Sequence, residues 1–200
     1  MVWPSFSGGD YADFCEWRTT QHRERNQGRR RSGLIGAVQA DSRAGLTRWS
    51  VSNAWQGRTH SRAQVRSFEI GGVPVARSFT IDLDEPFELG GADQYANPQE
   101  YLLAALNACI VVGYVALCSV QGITLEKLEV RTEGEIDLRG FFGLDPTVSP
   151  GYDGLRTHVT IKGDASEEQF RKIHDMVMAT SPNVHNISKA VLLHPTLMVE

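Results

Sequence analysis

The chain has 200 residues, 41% of them hydrophobic and 22% charged, which suits one folded domain, or one domain plus a tail. Its formal net charge of −4 gives no general reason to expect a nucleic-acid partner. The three cysteines, Cys15, Cys109 and Cys118, are too few and too scattered for a disulfide framework or a zinc site, so a reducing, cytoplasmic setting is expected.

Residues 1–32 are polar, contain Gly8-Gly9 and end in the basic run Arg29-Arg30-Arg31. They read as a poorly ordered, solvated tail, or as upstream sequence ahead of the folded domain at 33–200. Asp10, Asp13, Glu16 and Glu24 dilute the charge that a nucleic-acid arm needs. The apolar part of residues 33–40 spans only about six positions, short of the ~7–15 of an export signal. It reads instead as a short helix ending near Gly45. From Arg48 the period changes to two, and Trp49, Val51, Asn53 and Trp55 predict a strand. A second strand is expected from Ala63 to Ile70, a hairpin turn at Gly71-Gly72 and a third strand from Val73 to Leu83. Residues 84–97 read as a loop.

Asn97 to Gly122 predicts one long helix, roughly 36 Å at about 1.5 Å per residue. Asn97 suits the N-cap, Pro98 the first helical position, and Glu100 completes a capping box. Gly122 suits the left-handed residue past the end. No charge interrupts Tyr101 to Val120, so the helix belongs in a core or a membrane. Its small residues (Ala104, Ala105, Ala108, Gly113, Ala116), the polar Asn107 and the charged, alternating flanks favour a core, with no membrane span. Beyond it, Leu128 to Leu138 alternates as a strand with one solvated face. Residues 140–154 form a Gly/Pro loop carrying Phe141, Phe142 and Tyr152. Leu155 to Gly163 reads as a strand, Ser166 with Gln169 caps a helix, Ser181-Pro182-Asn183 breaks it, and Val191 to Val199 reads as a final strand. Hairpin-linked strands with separate helices predict an α+β fold, helices packed on antiparallel sheet.

A cysteine in an apolar helix is ordinarily a small core residue, and Cys118 fits that description. Cys118 lies about 13 Å along the axis from Cys109 and on the opposite side, out of disulfide reach within one helix. The six histidines show no metal-ligand spacing, no Gly-rich phosphate loop joins a strand to a helix, and neither Ser181 nor Ser188 sits in a nucleophile elbow. Neither a metal nor a cofactor is therefore expected, and Cys109, mid-helix, is the one candidate thiol.

The run NPQEYLLAALNAC, then GI, LEVRTEGEIDLRGFFGL, SPGYDGLRTHVTIKGDA and ATSPN, in that order, resembles the OsmC/Ohr family of osmotically induced and organic-hydroperoxide-resistance proteins. The resemblance covers about residues 34 to 200 and is nearest the OsmC-like branch with an extra N-terminal helix. It implies an intertwined homodimer of α+β subunits with long central helices buried at the interface. It further implies a thiol peroxidase for organic hydroperoxides, re-reduced by an external thiol. Cys109 matches the peroxidatic cysteine, which needs a nearby cation to favour the thiolate. Arg62 in THSRAQ is the better match for the assisting arginine, with Arg58 in QGR its competitor. The assisting glutamate aligns with Gln99; Glu100, beside it, is the catalytic candidate, although the capping box already accounts for it.

The sequence departs from the peroxidases at the resolving position, where Ser181 stands in place of a cysteine. Serine cannot form the disulfide that protects a sulfenic acid, so a peroxidase here is a one-cysteine variant, dependent on an outside thiol or on Cys118 of a second copy. Phe141, Phe142 and Tyr152 are expected to shape an apolar pocket for an alkyl hydroperoxide. The rival expectations are a dimer that binds a small apolar ligand without redox chemistry, and a structural dimer with no ligand.

Overall fold

In the computed structural model, which describes residues 33–200, the chain divides into two compact units, one ending at Tyr95 and the other running from Ala96 to Glu200. The tail expected at 1–32, with Cys15, lies outside the described residues.

The first unit begins with helix α1, of which residues 33–40 are described, and a 3-10 turn at Ser42–Gly45 capped by Asp41. Four antiparallel strands follow: β1 (Thr47–Trp49), β2 (Ser52–Gly57), β3 (His60–Ile70) and β4 (Val73–Leu83). β3 is central and pairs with β1, β2 and β4. The expected single strand from Trp49 to Trp55 is divided. Trp49 pairs with Phe68 but Ser52 pairs with Gln64, so β3 has one extra residue opposite the break. Gly71 and Gly72 make the β3–β4 turn with φ of 56° and 78°, the left-handed pair that a two-residue hairpin turn requires.

Asp84 ends β4 and organises the following loop. Its buried carboxylate accepts from Thr59 Oγ1 at 2.6 Å and from the backbone N–H of Ala92 at 3.0 Å. The Thr59 hydroxyl, and then backbone N–H groups, hold its pKa down to about 2 against the opposing effect of burial. The fold back is tight: a Cβ on Gly91 would lie 1.6 Å from the Glu85 carbonyl oxygen, so only glycine fits.

The second unit is built on α2 (Pro98–Val120), entered through the capping box read from the sequence. Glu100 N–H donates to Asn97 Oδ1 at 2.8 Å, and Asn97 N–H donates to Glu100 Oε2 at 2.8 Å. Gly122, at φ 70°, turns the chain out. β5 (Leu125–Gly134) and β6 (Leu155–Gly163) form an antiparallel pair, with Val130 opposite Val159. β5 stops at Gly134, short of the expected Leu138, because Asp137 caps a short helix α3 (Leu138–Phe141) by accepting from Arg139 N–H at 2.9 Å. α4 (Glu167–Thr180) has the expected Ser166/Gln169 capping box, and α5 (Pro182–Ser188) follows after a single residue, Ser181.

The core joins Leu106, Ile110, Tyr114 and Cys118 of α2 to Ile173 and Val177 of α4, with Leu128 and Val130 of β5 packed alongside. The α2 residues recur every four positions, one stripe of a helix. α2 is long and apolar enough to cross a membrane. It is not buried on all sides as expected: that stripe is buried, but another face is left open, with Val112 58% and Val120 63% exposed. Residues 190–200 take no regular secondary structure, against the strand expected at Val191–Val199. Alternation marks which residues could share a face, but a strand also needs a hydrogen-bonded neighbour, and β5 and β6 are paired with each other.

Candidate functional site

Cys109 lies on α2 one turn before Gly113. A Cβ on Gly113 would come within 2.9 Å of Val177 Cγ1. The missing side chain lets α2 and α4 approach closely, in the way small residues allow. The two helices run antiparallel here, as the contacts on either side of this approach show. Tyr114 Oη meets His174 Nδ1 at 2.5 Å, and Asn183 Nδ2 donates to the Ala105 carbonyl at 2.8 Å. The junction of α4 and α5 therefore falls over Cys109, and Ser181 Oγ donates to Cys109 Sγ at 3.3 Å.

Ser181 is tightly held. It ends α4, where its N–H donates to the Val177 carbonyl at 2.9 Å. It also caps α5, where its Oγ accepts from Val184 N–H at 3.4 Å. The residue is 6% exposed, whereas Cys109 is half-buried. The other side of the α2 turn is pinned by Asn107, whose Oδ1 accepts from Thr132 Oγ1 of β5 at 2.6 Å; Thr132 in turn meets Thr157 of β6 at 2.9 Å. Cys109 is thus a thiol on a doubly anchored stretch of helix with a hydroxyl on its sulfur. Cys118 has a different environment: it is buried in the core, and burial, reinforced by the negative charge of Asp164, pushes its thiol up. Thiols of that kind are inert.

Arg62 is on β3 in the first unit, directly opposite Asp82 of β4. Its Nε donates to Asp82 Oδ1 at 2.8 Å, and His60 Nε2 meets the same oxygen at 2.9 Å, its ring stacked on Tyr95. The hydrogen bond from Arg62, then that from His60, holds the Asp82 carboxyl below its ordinary range, and the carboxylate raises Arg62. Arg58 sits in the β2–β3 turn at φ 49°, exposed, with its carbonyl accepting from Trp55 Nε1 at 2.7 Å. Arg62 is therefore the organised arginine of the two. Glu100 is engaged at the start of α2 by the capping box. Phe141 and Phe142, expected as pocket walls, are 60% and 56% exposed with their rings against each other, because α3 is short and buries no residue. Tyr152 is half-buried.

Sequence reasoning missed Asp82 and His60 as partners of Arg62. A cavity of about 750 Å³ in the first unit is lined by Leu34, Asp41, Arg43, Ile70 and the Gly71–Gly72 turn, and among the described residues no thiol lines it. Among the described residues no three His, Cys, Asp or Glu side chains converge to hold a metal ion.

A family model described as OsmC-like protein matches residues 91–194. The uncharacterized protein YmaD of Bacillus subtilis (strain 168) is 25% identical over 147 residues, 73% of this chain and 87% of that protein. Among solved structures, an OsmC-like protein from Mycoplasma pneumoniae superposes with a TM-score of 0.56 at 19% identity, covering 72% of this chain and 89% of the other. That likeness carries the fold.

Proposed function

The chain belongs to the OsmC-like protein family, and from that premise we propose that it is a one-cysteine, thiol-dependent peroxidase for organic hydroperoxides, serving in oxidative-stress defence. The observation that carries this reading is the Ser181 Oγ to Cys109 Sγ contact of 3.3 Å, which joins the two positions where the family's chemistry is expected. In the first step the Cys109 thiolate attacks the outer oxygen of ROOH; the O–O bond breaks, a proton is taken up, ROH leaves, and sulfur is oxidised to Cys–SOH. Ser181 cannot attack that sulfenic acid as a thiol would. An external thiol therefore forms a mixed disulfide, releasing water. A second thiol then releases Cys109, and two electrons in all come from the reductant.

Arg62 is proposed as the site cation and Glu100 as a further site carboxylate, with the cytoplasm as the setting. A homodimer is proposed because α2 leaves an apolar face uncovered in the single chain, with Val112 and Val120 exposed. Sedimentation of the full chain is the check, and a monomer at micromolar concentration argues against it.

The test of function is consumption of cumene hydroperoxide with a dithiol reductant, comparing the natural chain with Cys109→Ser. Turnover lost in the variant supports the reading, and equal rates refute it. Ser181 also favours a second reading, a small-apolar-molecule-binding protein without redox activity. Failure of Cys109 to form a sulfenic acid under excess hydroperoxide selects that one.

A further inference from the structure

We infer that Ser181 is a positioning residue that holds the Cys109 sulfur in its reactive orientation, its buried hydroxyl acting as the hydrogen-bond donor to the sulfur. The inference rests on the reading of Cys109 as the reacting thiol and adds the residue that prepares it. A serine hydroxyl has one proton and two acceptor lone pairs. Here one lone pair takes Val184 N–H at 3.4 Å, and the proton is directed to Cys109 Sγ at 3.3 Å. At 6% exposure, Ser181 has little access to water as an alternative partner, and buried polar groups are satisfied within the protein. Fixed on the sulfur from one side, this donor sets the rotamer of Cys109 and the direction in which its remaining lone pairs point.

The geometry is fixed from several directions. Ser181 is at once the end of α4 and the cap of α5, Asn183 ties α5 to the Ala105 carbonyl at 2.8 Å, and Gly113 sets the distance between the helices through Val177. Other titrating groups act elsewhere along α2. From α4, His174 and Asp175 bear on Tyr114, and from the segment after β6, Asp164 bears on Cys118. The β5 residues packed on this core, Leu125, Leu128 and Val130, and Thr132, which bonds Asn107 of α2, carry no charge. On α5, His185 is the nearest titratable residue in sequence, its backbone N–H donating to the Ser181 carbonyl at 3.0 Å.

The experiment is the rate of Cys109 alkylation by iodoacetamide at fixed pH, without peroxide, in the full chain carrying Cys15→Ser and Cys118→Ala. Serine at 181 is compared with Ser181→Ala, Ser181→Gly and Ser181→Thr. Glycine removes the hydroxyl at little cost to the α5 cap, so it reports on the donor even where the alanine chain folds poorly. The same comparison in a His185→Gln background keeps the neighbouring imidazole out of the result. Loss of the hydroxyl is expected to slow labelling of Cys109 about tenfold, the loss of one hydrogen bond of about 1.4 kcal/mol, with the threonine chain keeping the original rate. A glycine chain labelled as fast as the serine one, or a threonine chain slowed as far as the glycine one, overturns the inference. Because no hydroperoxide is present, either result stands apart from the peroxidase reading, which fails by absence of turnover.

Discussion

Ser181→Cys tests the arrangement of the site most directly. The oxygen it replaces lies 3.3 Å from Cys109 Sγ, so the two sulfurs must close by about 1.2 Å to reach the roughly 2.05 Å of a disulfide. Side-chain rotation supplies much of that, since the close approach at Gly113 already brings the helices together. Attack of the new thiol on the Cys109 sulfenic acid expels water and closes a loop between positions 72 apart. A loop of that length removes about 15 cal/mol/K from the unfolded chain, about 4.4 kcal/mol at 25 °C. Against it stands the lost cap of α5, about 1 kcal/mol. The net gain over the natural chain is about 3 kcal/mol; over the reduced form of the same chain, which also lacks the cap, it is about 4.4 kcal/mol, roughly 9–18 °C in Tm for 200 residues. The chain is prepared with Cys15→Ser and Cys118→Ala, treated with one equivalent of hydroperoxide, and read by non-reducing peptide mapping and by thermal unfolding with and without dithiothreitol. If both thiols stay free, or the oxidised form melts no higher than the reduced one, the α4–α5 junction does not sit over Cys109 and the reasoning about the site fails.

Gly113→Ala places a methyl group 2.9 Å from Val177 Cγ1. Overpacking of about 1–3 kcal/mol, set against a helix-propensity gain of about 1, gives a net loss of roughly 1 kcal/mol in urea unfolding, and Val177→Ala, which itself costs stability at a fully buried core position, is expected to cost less in the Gly113→Ala chain than in the natural one. Asp84→Asn destabilises the fold at pH 7, and the difference from the natural chain closes on acidification. The folded pKa of about 2 lies below the ordinary carboxyl value, so the contribution is full above that value and fades as pH falls toward 2; a gap that is constant from pH 5 to 2 refutes the assignment. Cys118 is expected to resist iodoacetamide in the folded chain while Cys109 is labelled, as mass spectrometry of alkylated peptides will show, because it is buried and its thiol is pushed up.

What was legible in the sequence follows the range of the forces involved. α2 could be read from end to end because its start and stop are local chemistry: Asn97, Pro98 and Glu100 at one end, Gly122 at the other. The Gly71-Gly72 hairpin was legible for the same reason. The partner of Arg62 was not. Counting back from Ile70 opposite Val73 puts Ile81 across from Arg62, but an irregularity between Val65 and Ser67 slips the register by one, and Asp82 faces it instead. A one-residue slip exchanges the two faces of a strand, so a bulge that leaves no compositional mark decides which side chain binds the arginine. The final strand failed for a related reason, since pattern was present at Val191–Val199 and a pairing neighbour was not.

The contact at the thiol joins residues far apart in sequence, and no local pattern could have disclosed it. Gly113 looked like one of several small residues suited to close packing. In the fold it is the residue whose missing side chain brings Val177 against α2. Four residues back on α2 is Cys109, and four residues on from Val177 is Ser181, so on antiparallel helices the same close approach presents the hydroxyl to the sulfur. The chemistry proposed for Cys109 thus depends on a glycine one turn away that has no reactive group of its own. A side chain at Gly113 is expected to alter Cys109 reactivity together with stability.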